Sequence, residues 1–325
     1  MGALRSRGPD GRGWELIDQR KVFFGHTRLA IFDLSDSGSQ PMTSYDRRWI
    51  ISFNGEIYNY RELSRYLARK CKDDSWLQTR SDTRILLECI AFFGLAWTLA
   101  RIDGMAAFSL WDKKKRELHL FRDFCGEKPL FVVHNPDKVF FTSDLKAFPP
   151  EIWDSQVDAQ ALRWYLSFGY CHSERSIFTG IKQVKPGHLL SFRNEADQWN
   201  CLDDLLVQRP LVEPTVSSQF SYPEKVQFLA DAIETSVAQQ CKADVPIGIF
   251  LSGGIDSSLV SALASDYLPS VSAYTISMRG HGDLDETLAA SRIAQQFGLD
   301  HTIIDIADFD FQCLVEDFIR ELGQP

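Results

Sequence analysis

The run Ser252-Gly253-Gly254-Ile255-Asp256-Ser257-Ser258 gathers small and hydroxyl-bearing residues where an anion could be held. An apolar stretch, Pro246 to Leu251, precedes it and predicts a buried strand, while Asp256 to Leu263 predicts a capped helix. Glycines let backbone N–H groups approach a ligand, and a helix start adds unpaired donors and a partial positive charge. A phosphate is the ligand such a corner suits. Glycine-rich turns are common between strands and helices, so the corner alone is weak. Its spacing is not G-x-x-x-x-G-K-[ST], so it is not the Walker loop. A second set of chemistry-bearing residues lies earlier: Arg28, Asn54-Gly55-Glu56 and Ser81-Asp82. By type alone these read as surface charge, a hairpin turn and a helix N-cap at Asp82.

The elements that must position these residues differ between the two halves. Short aromatic and β-branched runs at Lys21 to Phe24, Leu29 to Phe32 and Trp49 to Phe53 predict strands. Asn54-Gly55 between apolar stretches is a strong hairpin signal. Asn59 and Glu62 stand at capping-box spacing before a helix through Leu63 and Leu67, and a second helix runs from Ser81-Asp82 to Gly94. Met105 to Trp111, Glu117 to Phe121, Pro129 to Val133 and Val139 to Thr142 predict antiparallel strands, with Lys113-Lys114-Lys115-Arg116 as a solvated hairpin turn. Hairpins beside two helices predict an α+β sandwich. Asp154 to Phe168 predicts a helix with Leu162 and Leu166 packed at the junction, and the polar stretch from Arg193 to Pro214 predicts an irregular boundary. A long helix from about Tyr222 to Lys242, apolar at Val226, Leu229, Ile233 and Val237, leads to the glycine corner. Beyond it, strand Val271 to Met278, helix Asp285 to Phe297, strand His301 to Ile306 and helix Phe309 to Leu322 predict a parallel, doubly wound sheet.

Composition bounds the function. The 325 residues are 44% hydrophobic and 24% charged, which suits a globular chain of two domains. A net charge of −9 argues against a general nucleic-acid binder. No window is apolar enough to span a bilayer, and the start lacks a signal-sequence pattern. The seven cysteines are scattered without C-x-x-C, so neither a disulfide framework nor a zinc site is suggested, and a reduced cytoplasmic compartment fits.

His26-Thr27-Arg28, Gln40-Pro41-Met42, Asn54-Gly55-Glu56-Ile57-Tyr58-Asn59 and Ser81-Asp82-Thr83 together resemble the glutaminase domain of glutamine-hydrolysing asparagine synthetases. Asp103-Gly104-Met105, Arg122-Asp123, Gly126-Glu127-Lys128-Pro129-Leu130, Ser143-Asp144-Leu145-Lys146 and Lys185-Pro186-Gly187-His188 extend the likeness. The Ser-Gly-Gly-x-Asp-Ser pattern resembles the pyrophosphate loop of ATP-dependent adenylating enzymes. The resemblance implies an α+β glutaminase sandwich over 1–192, a linker over 193–221, and the first part of an ATP pyrophosphatase domain over 222–325. Arg28 would take the α-carboxylate of glutamine, Glu56 and Asp82 its ammonium group, and Asn54 with the Gly55 N–H would form an oxyanion hole. Leu251 and Ile276 would lie beside adenosine. Ser252, Gly253, Gly254, Asp256 and Ser257 would hold the pyrophosphate end of ATP with Mg2+. Asp285-Glu286 matches an acidic pair of the family, or caps a helix.

The implied reaction is ATP-dependent amidation of aspartate through an acyl-adenylate, using ammonia from glutamine. Its partners would be small molecules, namely glutamine, ATP and aspartate or another carboxylate, with a homodimer as the assembly and neither nucleic acid nor membrane involved. Two departures stand out. The family's nucleophile is an N-terminal cysteine, whereas residue 2 here is Gly2 and the first cysteine is Cys71. The family's second, Ser-Gly-Asp-Gly type loop is not reached; Gly282-Asp283-Leu284-Asp285-Glu286 only superficially resembles it. The expectation is a fragment cut at both ends, an enzyme by family but not competent alone. Alternatives are a related amidotransferase on another acceptor, or a non-catalytic form that keeps glutamine and nucleotide pockets. Ala106, Arg84 and Cys125 are smaller departures from the pattern.

Overall fold

The computed structural model describes residues 2–19, 21–152, 156–171, 174–208, 220–278, 285–306 and 311–322. The expected start of a helix at Asp154, residues 209–219 of the boundary segment, Gly282-Asp283-Leu284 and the last three residues lie outside them. The chain divides into two compact units, Met1–Leu211 and Val212–Glu321.

The first unit is built on β1 (Gly11–Ile17), β2 (Val22–Arg28), β3 (Met42–Thr43), β4 (Trp49–Ile57), β5 (Gly104–Asp112), β6 (Glu117–Arg122), β7 (Phe131–Asn135), β8 (Lys138–Thr142), β9 (Lys182–Gln183), β10 (His188–Glu195) and β11 (Gln198–Leu206). Its helices are α1 (Tyr60–Cys71), α2 (Asp82–Phe93), α3 (Leu95–Leu99) and α4 (Ala159–Phe168). A six-stranded antiparallel sheet runs β11-β10-β6-β5-β4-β3, beside the pair β1-β2 and the triplet β8-β7-β9. Strand periodicity explains the layers. Trp49, Ile51 and Phe53 of β4 and Phe108 and Leu110 of β5 point into one core with Leu63, Leu67, Ile85, Leu86 and Ile90 of α1 and α2. Ile50, Ala107, Trp111, Leu118 and Leu120 point to the opposite face, where Phe24 of β2 and Val132 of β7 cover them. Both faces of the sheet are therefore dry at its central strands β4, β5 and β6. Each of the buried Leu, Ile and Phe side chains among these contributes about 1.5–3 kcal/mol of transfer free energy.

Several local readings change. Asn54-Gly55 is not a turn: both residues lie inside β4, where Gly55 pairs with Ala106 and φ is 153°. A Cβ at Gly55 would fall on the Met105 carbonyl oxygen and within 2.9 Å of Ala106 Cα. Glycine is used there for close approach, which sequence reads as a turn. Leu29 to Phe32 is not a strand, because the chain curls so that the carbonyls of Phe32 and Ser35 meet the Arg28 guanidinium at 3.4 and 2.7 Å. The strand β1 was not anticipated, since Gly-Arg-Gly-Trp-Glu offers no apolar run. Asn59 makes no capping box; its amide instead donates to the Arg101 carbonyl at 2.9 Å and accepts from the Asp103 N–H at 2.9 Å. Arg193 to Leu206, expected to be irregular, completes β10 and forms β11, whose edge position tolerates polar side chains. Leu162 and Leu166 of α4 are exposed rather than packed.

The second unit carries α5 (Tyr222–Gln240), β12 (Gly248–Phe250), α6 (Ile255–Tyr267), β13 (Ser272–Ser277), α7 (Thr287–Phe297), β14 (Asp300–Asp305) and α8 (Phe311–Leu322). The strands form a parallel sheet in the order β12-β13-β14, as the β/α alternation requires. Leu251, Ala273, Ala290 and Ala294 pack sheet against α7. Val237, Ala264 and Val271 bring α5 and α6 onto the same assembly. Of the expected apolar face of α5, Val237 is buried but Val226 and Leu229 are exposed. Phe250 and Ile276, on the opposite sheet face from Leu251 and Ala273, are 82% and 57% exposed.

Candidate functional site

In the first unit a cavity of about 280 Å³ is lined by Arg28, Asn54, Gly55, Glu56 and Asp82 together, with His26, Gln40 and Lys128 among its other polar residues. These residues come from β2, the loop before β3, β4, the start of α2 and the loop after β6, and the packing of the β1-β2 pair and of α2 against the large sheet brings them together. Asp82 is the first residue of α2, not its cap; Ser81 is the cap, its hydroxyl accepting from the Arg84 N–H at 3.2 Å. The Asp82 carboxylate is thereby aimed at β4 and accepts the Ile57 N–H at 3.0 Å and the Thr83 N–H at 2.6 Å. Burial pushes its carboxyl up to about 6, against those hydrogen bonds. Burial also raises Glu56, with the Lys128 ammonium opposing the rise and the Asp82 charge adding to it. Two partly desolvated carboxylates in one cavity wall make a receptor for a cationic group.

Arg28 faces the same space. Its Nη atoms donate to the carbonyls of Phe32, Asp33 and Ser35. A guanidinium has five N–H donors, so a carboxylate ligand would use the others or displace part of this loop. A Cβ at Gly38 would strike the guanidinium, so this glycine lets the loop close over it. His26 donates from Nε2 to the Phe53 carbonyl at 3.1 Å, and burial lowers its imidazole to about 4, so it is neutral near pH 7.

Residues noted only as parts of motifs turn out to build the walls. Gln40 accepts the Phe53 N–H at 2.6 Å and reaches Thr83 Oγ1 at 3.5 Å, tying β4 to α2. Asp123 accepts the N–H groups of Ala106, Glu127 and Lys128 at 3.2, 2.8 and 3.0 Å. Arg122 donates to the carbonyls of Lys128, Val184 and Gly126 at 2.9, 3.0 and 2.5 Å. This buried pair shapes the loop that presents Lys128. Nothing in the local sequence distinguishes such a role from surface charge; the Arg122-Asp123 and Gly126-Glu127-Lys128-Pro129 motifs, two residues apart, were the available signal.

In the second unit the glycine corner joins β12 to α6. Its hydroxyls fold inward: Ser257 Oγ lies 2.8 Å from Ser252 Oγ and accepts the Ser252 N–H at 3.1 Å, while Ser258 Oγ donates to the Gly254 carbonyl at 2.7 Å. A Cβ at Gly253 would lie 2.6 Å from Ala289 Cβ on α7, so only glycine fits this approach. Gly254 caps α6, and the first turn, with Asp256, leaves N–H donors at the corner. Leu251 is buried, its N–H donating to the Tyr274 carbonyl at 2.8 Å and its carbonyl accepting from Thr275 Oγ1 at 2.6 Å. Thr275 and His301, 2.7 Å apart, were not anticipated; both sit in strands whose spacing shows only burial. Asp285 accepts from the Thr287 N–H at 3.1 Å, so this acid acts locally at the start of α7.

The cavity and the corner can now be set beside known proteins. The glutamine amidotransferase domain family matches residues 1–201, and the asparagine synthase family matches residues 229–325. Asparagine synthetase [glutamine-hydrolyzing] 1 of Bacillus subtilis is 32% identical over 295 residues, covering 91% of this chain and 44% of that protein. Asparagine synthetase [glutamine-hydrolyzing] 3 of the same organism is 31% identical over 272 residues, covering 81% and 41%. Amidase chry2 of Gibberella zeae is 30% identical over 333 residues, covering 97% and 47%. The chain thus spans about half the length of the curated relatives it matches. With its five cavity residues gathered on the antiparallel unit and the glycine corner following on a parallel one, the chain belongs to the glutamine amidotransferase family over residues 1–201 and continues into a segment that matches the asparagine synthase family.

Proposed function

We propose that the chain binds glutamine in the first unit and the phosphates of ATP in the second, as parts of a glutamine-hydrolysing asparagine synthetase. The observation that carries the reading is the convergence of Arg28, Asn54, Gly55, Glu56 and Asp82 on one cavity. Arg28 takes the α-carboxylate through its planar donors, and Glu56 with Asp82 takes the α-ammonium. That leaves the amide end of the ligand toward Asn54 and Gly55, whose side-chain and backbone N–H donors stabilise the oxyanion formed when the amide is attacked.

At the corner, the N–H groups of Gly253, Gly254 and the first turn of α6 take the pyrophosphate end of ATP. Ser252 and Ser257 hold that turn in shape, and Ile276 offers an exposed apolar surface on β13 to the base. Leu251 acts by backbone placement, its side chain being in the core. No group of three or more metal-binding side chains occurs among the described residues. The donor set therefore suits Mg2+ carried mainly by phosphate and water oxygens, with Asp256 as the carboxylate at hand. ATP supplies the adenylate that activates an acceptor carboxylate, proposed to be that of aspartate. The substrates are small molecules, and no described helix is long and apolar enough to cross a membrane. Seven free cysteines support a reducing, cytoplasmic setting, and a homodimer is the proposed assembly.

Calorimetric titration of the purified chain with glutamine and, separately, with ATP·Mg tests the reading. Arg28→Ala should abolish the glutamine signal and leave ATP unchanged, and Asp256→Ala the reverse. Undiminished glutamine binding by a folded Arg28→Ala chain would sink the assignment of the cavity.

A further inference from the structure

We infer that Thr275 and His301 are positioning residues for the phosphate corner, acting through the single peptide plane between Leu251 and Ser252. The inference rests on the reading of that corner as a phosphate site. The carbonyl of this peptide accepts from Thr275 Oγ1 at 2.6 Å, and its N–H donates to Ser257 Oγ at 3.1 Å. One rigid plane is thus held at both ends. A threonine hydroxyl has one proton; given to the carbonyl, it leaves the oxygen to accept from His301 Nε2–H, 2.7 Å away. A hydrogen-bonded line therefore runs from His301 on β14, through Thr275 on β13 and the end of β12, to Ser257 on α6. Bonds in such a line strengthen one another in a dry setting. Thr275 is buried, and Leu251 is fixed in the core by Ala273, Ala290 and Ala294. The registered β12–β13 ladder ends at Phe250–Tyr274, one residue before this peptide. Without the threonine hydroxyl the plane can rotate, carrying the Ser252 N–H off Ser257 and turning the donors of the corner away from a common point.

The test uses the whole chain with Thr275→Val, Thr275→Ser, His301→Leu, His301→Gln and the Thr275→Val/His301→Leu double variant. Two readouts are needed: amide exchange of residues 252–257 without ligand, and calorimetric affinity for ATP·Mg, pyrophosphate and adenosine. Loss of Thr275 or His301 donors should speed exchange in the corner and weaken ATP·Mg and pyrophosphate about tenfold, with adenosine unchanged. The double variant should be no worse than either single one, and Thr275→Ser and His301→Gln, which keep the hydroxyl and an amide donor, should restore both readouts. Unchanged exchange in folded Thr275→Val or His301→Leu overturns the inference, as does equal weakening of adenosine. If wild-type chain takes neither ATP nor pyrophosphate while exchange still responds, the phosphate reading falls and the clamp stands. Should Thr275→Val fail to fold, His301→Leu, altering a partly exposed residue at the sheet edge, decides the matter alone.

Discussion

The two candidate sites, one in each unit, are built in opposite ways. In the first, five cavity-lining residues come from positions 28 to 82 and meet only because the β1-β2 pair and α2 pack against the large sheet. The central strands beneath them are buried on both faces, and the resulting cavity desolvates Glu56 and Asp82. In the second, the proposed phosphate contacts are consecutive, from Ser252 to Ser257, shaped by one turn and its hydroxyls and braced from β13 and β14 by Thr275 and His301. That sheet shows a sparser core of alanines and a few larger residues, with Phe250 and Ile276 on an exposed face. A convergent cavity can shift the ionisation of its walls, because burial removes water from charged groups. A contiguous corner instead offers backbone donors whose charge state never changes.

That contrast can be broken most severely at the two glycines. Gly55→Ala forces a Cβ into the backbone of β5 at a φ favourable only to glycine. It should cost about 3–4 kcal/mol in denaturant unfolding of the first unit and remove glutamine binding, with ATP·Mg titration undisturbed. A variant as stable as wild type would show that β4 and β5 can separate there at little cost. Gly253→Ala pushes only against Ala289 Cβ, 2.6 Å away, so α7 must shift. Its expected cost is smaller, about 1–3 kcal/mol, and should appear in ATP·Mg affinity rather than in glutamine affinity.

The ionisation of Asp82 sharpens the comparison. Its folded pKa, about 6, stands above the usual carboxylate value because burial disfavours the anion. The folded chain then binds more protons than the unfolded one between about pH 4 and 6, so this group's contribution to stability is present at low pH and lost as pH rises through 6. Glutamine, whose ammonium needs the anion, should show the opposite trend and bind more tightly from pH 5 to 7. Asp82→Asn should weaken glutamine about tenfold or more at pH 7 and flatten that rise, whereas ATP·Mg affinity of the same variant should follow wild type across the range. An unchanged glutamine profile in Asp82→Asn would remove Asp82 from the ammonium site. The mildest change is Ser81→Ala. It deletes the cap of α2 and should cost about 1 kcal/mol by thermal or denaturant unfolding. It should also loosen glutamine binding slightly, because the cap aims Asp82 at β4.

How much was legible follows the same division. The strand, corner and helix around Ser252 to Ser257 could be read from consecutive residues, because phosphate-binding turns draw their donors from adjacent backbone. The helix from Asp82 to Gly94 and the strands after Met105 were equally plain, since apolar periodicity and caps are local signals. The Asn54-Gly55 dipeptide misled: the close approach of β5 and a hairpin turn demand the same residue. Leu29 to Phe32 misled because its apolar content gave no hint that Arg28 would draw the following carbonyls around itself. Polar β11 was invisible because an edge strand need not alternate apolar and polar residues.

The sequence by itself determined most helices and the strongly apolar strands, the antiparallel half followed by the parallel half, and the family resemblance of the motifs. Those depend on propensity, period and residue order, all properties of neighbouring positions. Only the tertiary structure decided that Ser81 caps and Asp82 turns inward, that Arg122 and Asp123 shape the Lys128 loop, and that His301, Thr275, Leu251 and Ser257 form one line. Each of these is a hydrogen bond between residues remote in sequence or hidden by burial. Such bonds leave no periodic trace, because a single donor and acceptor meet once, at a place fixed by the packing of everything around them.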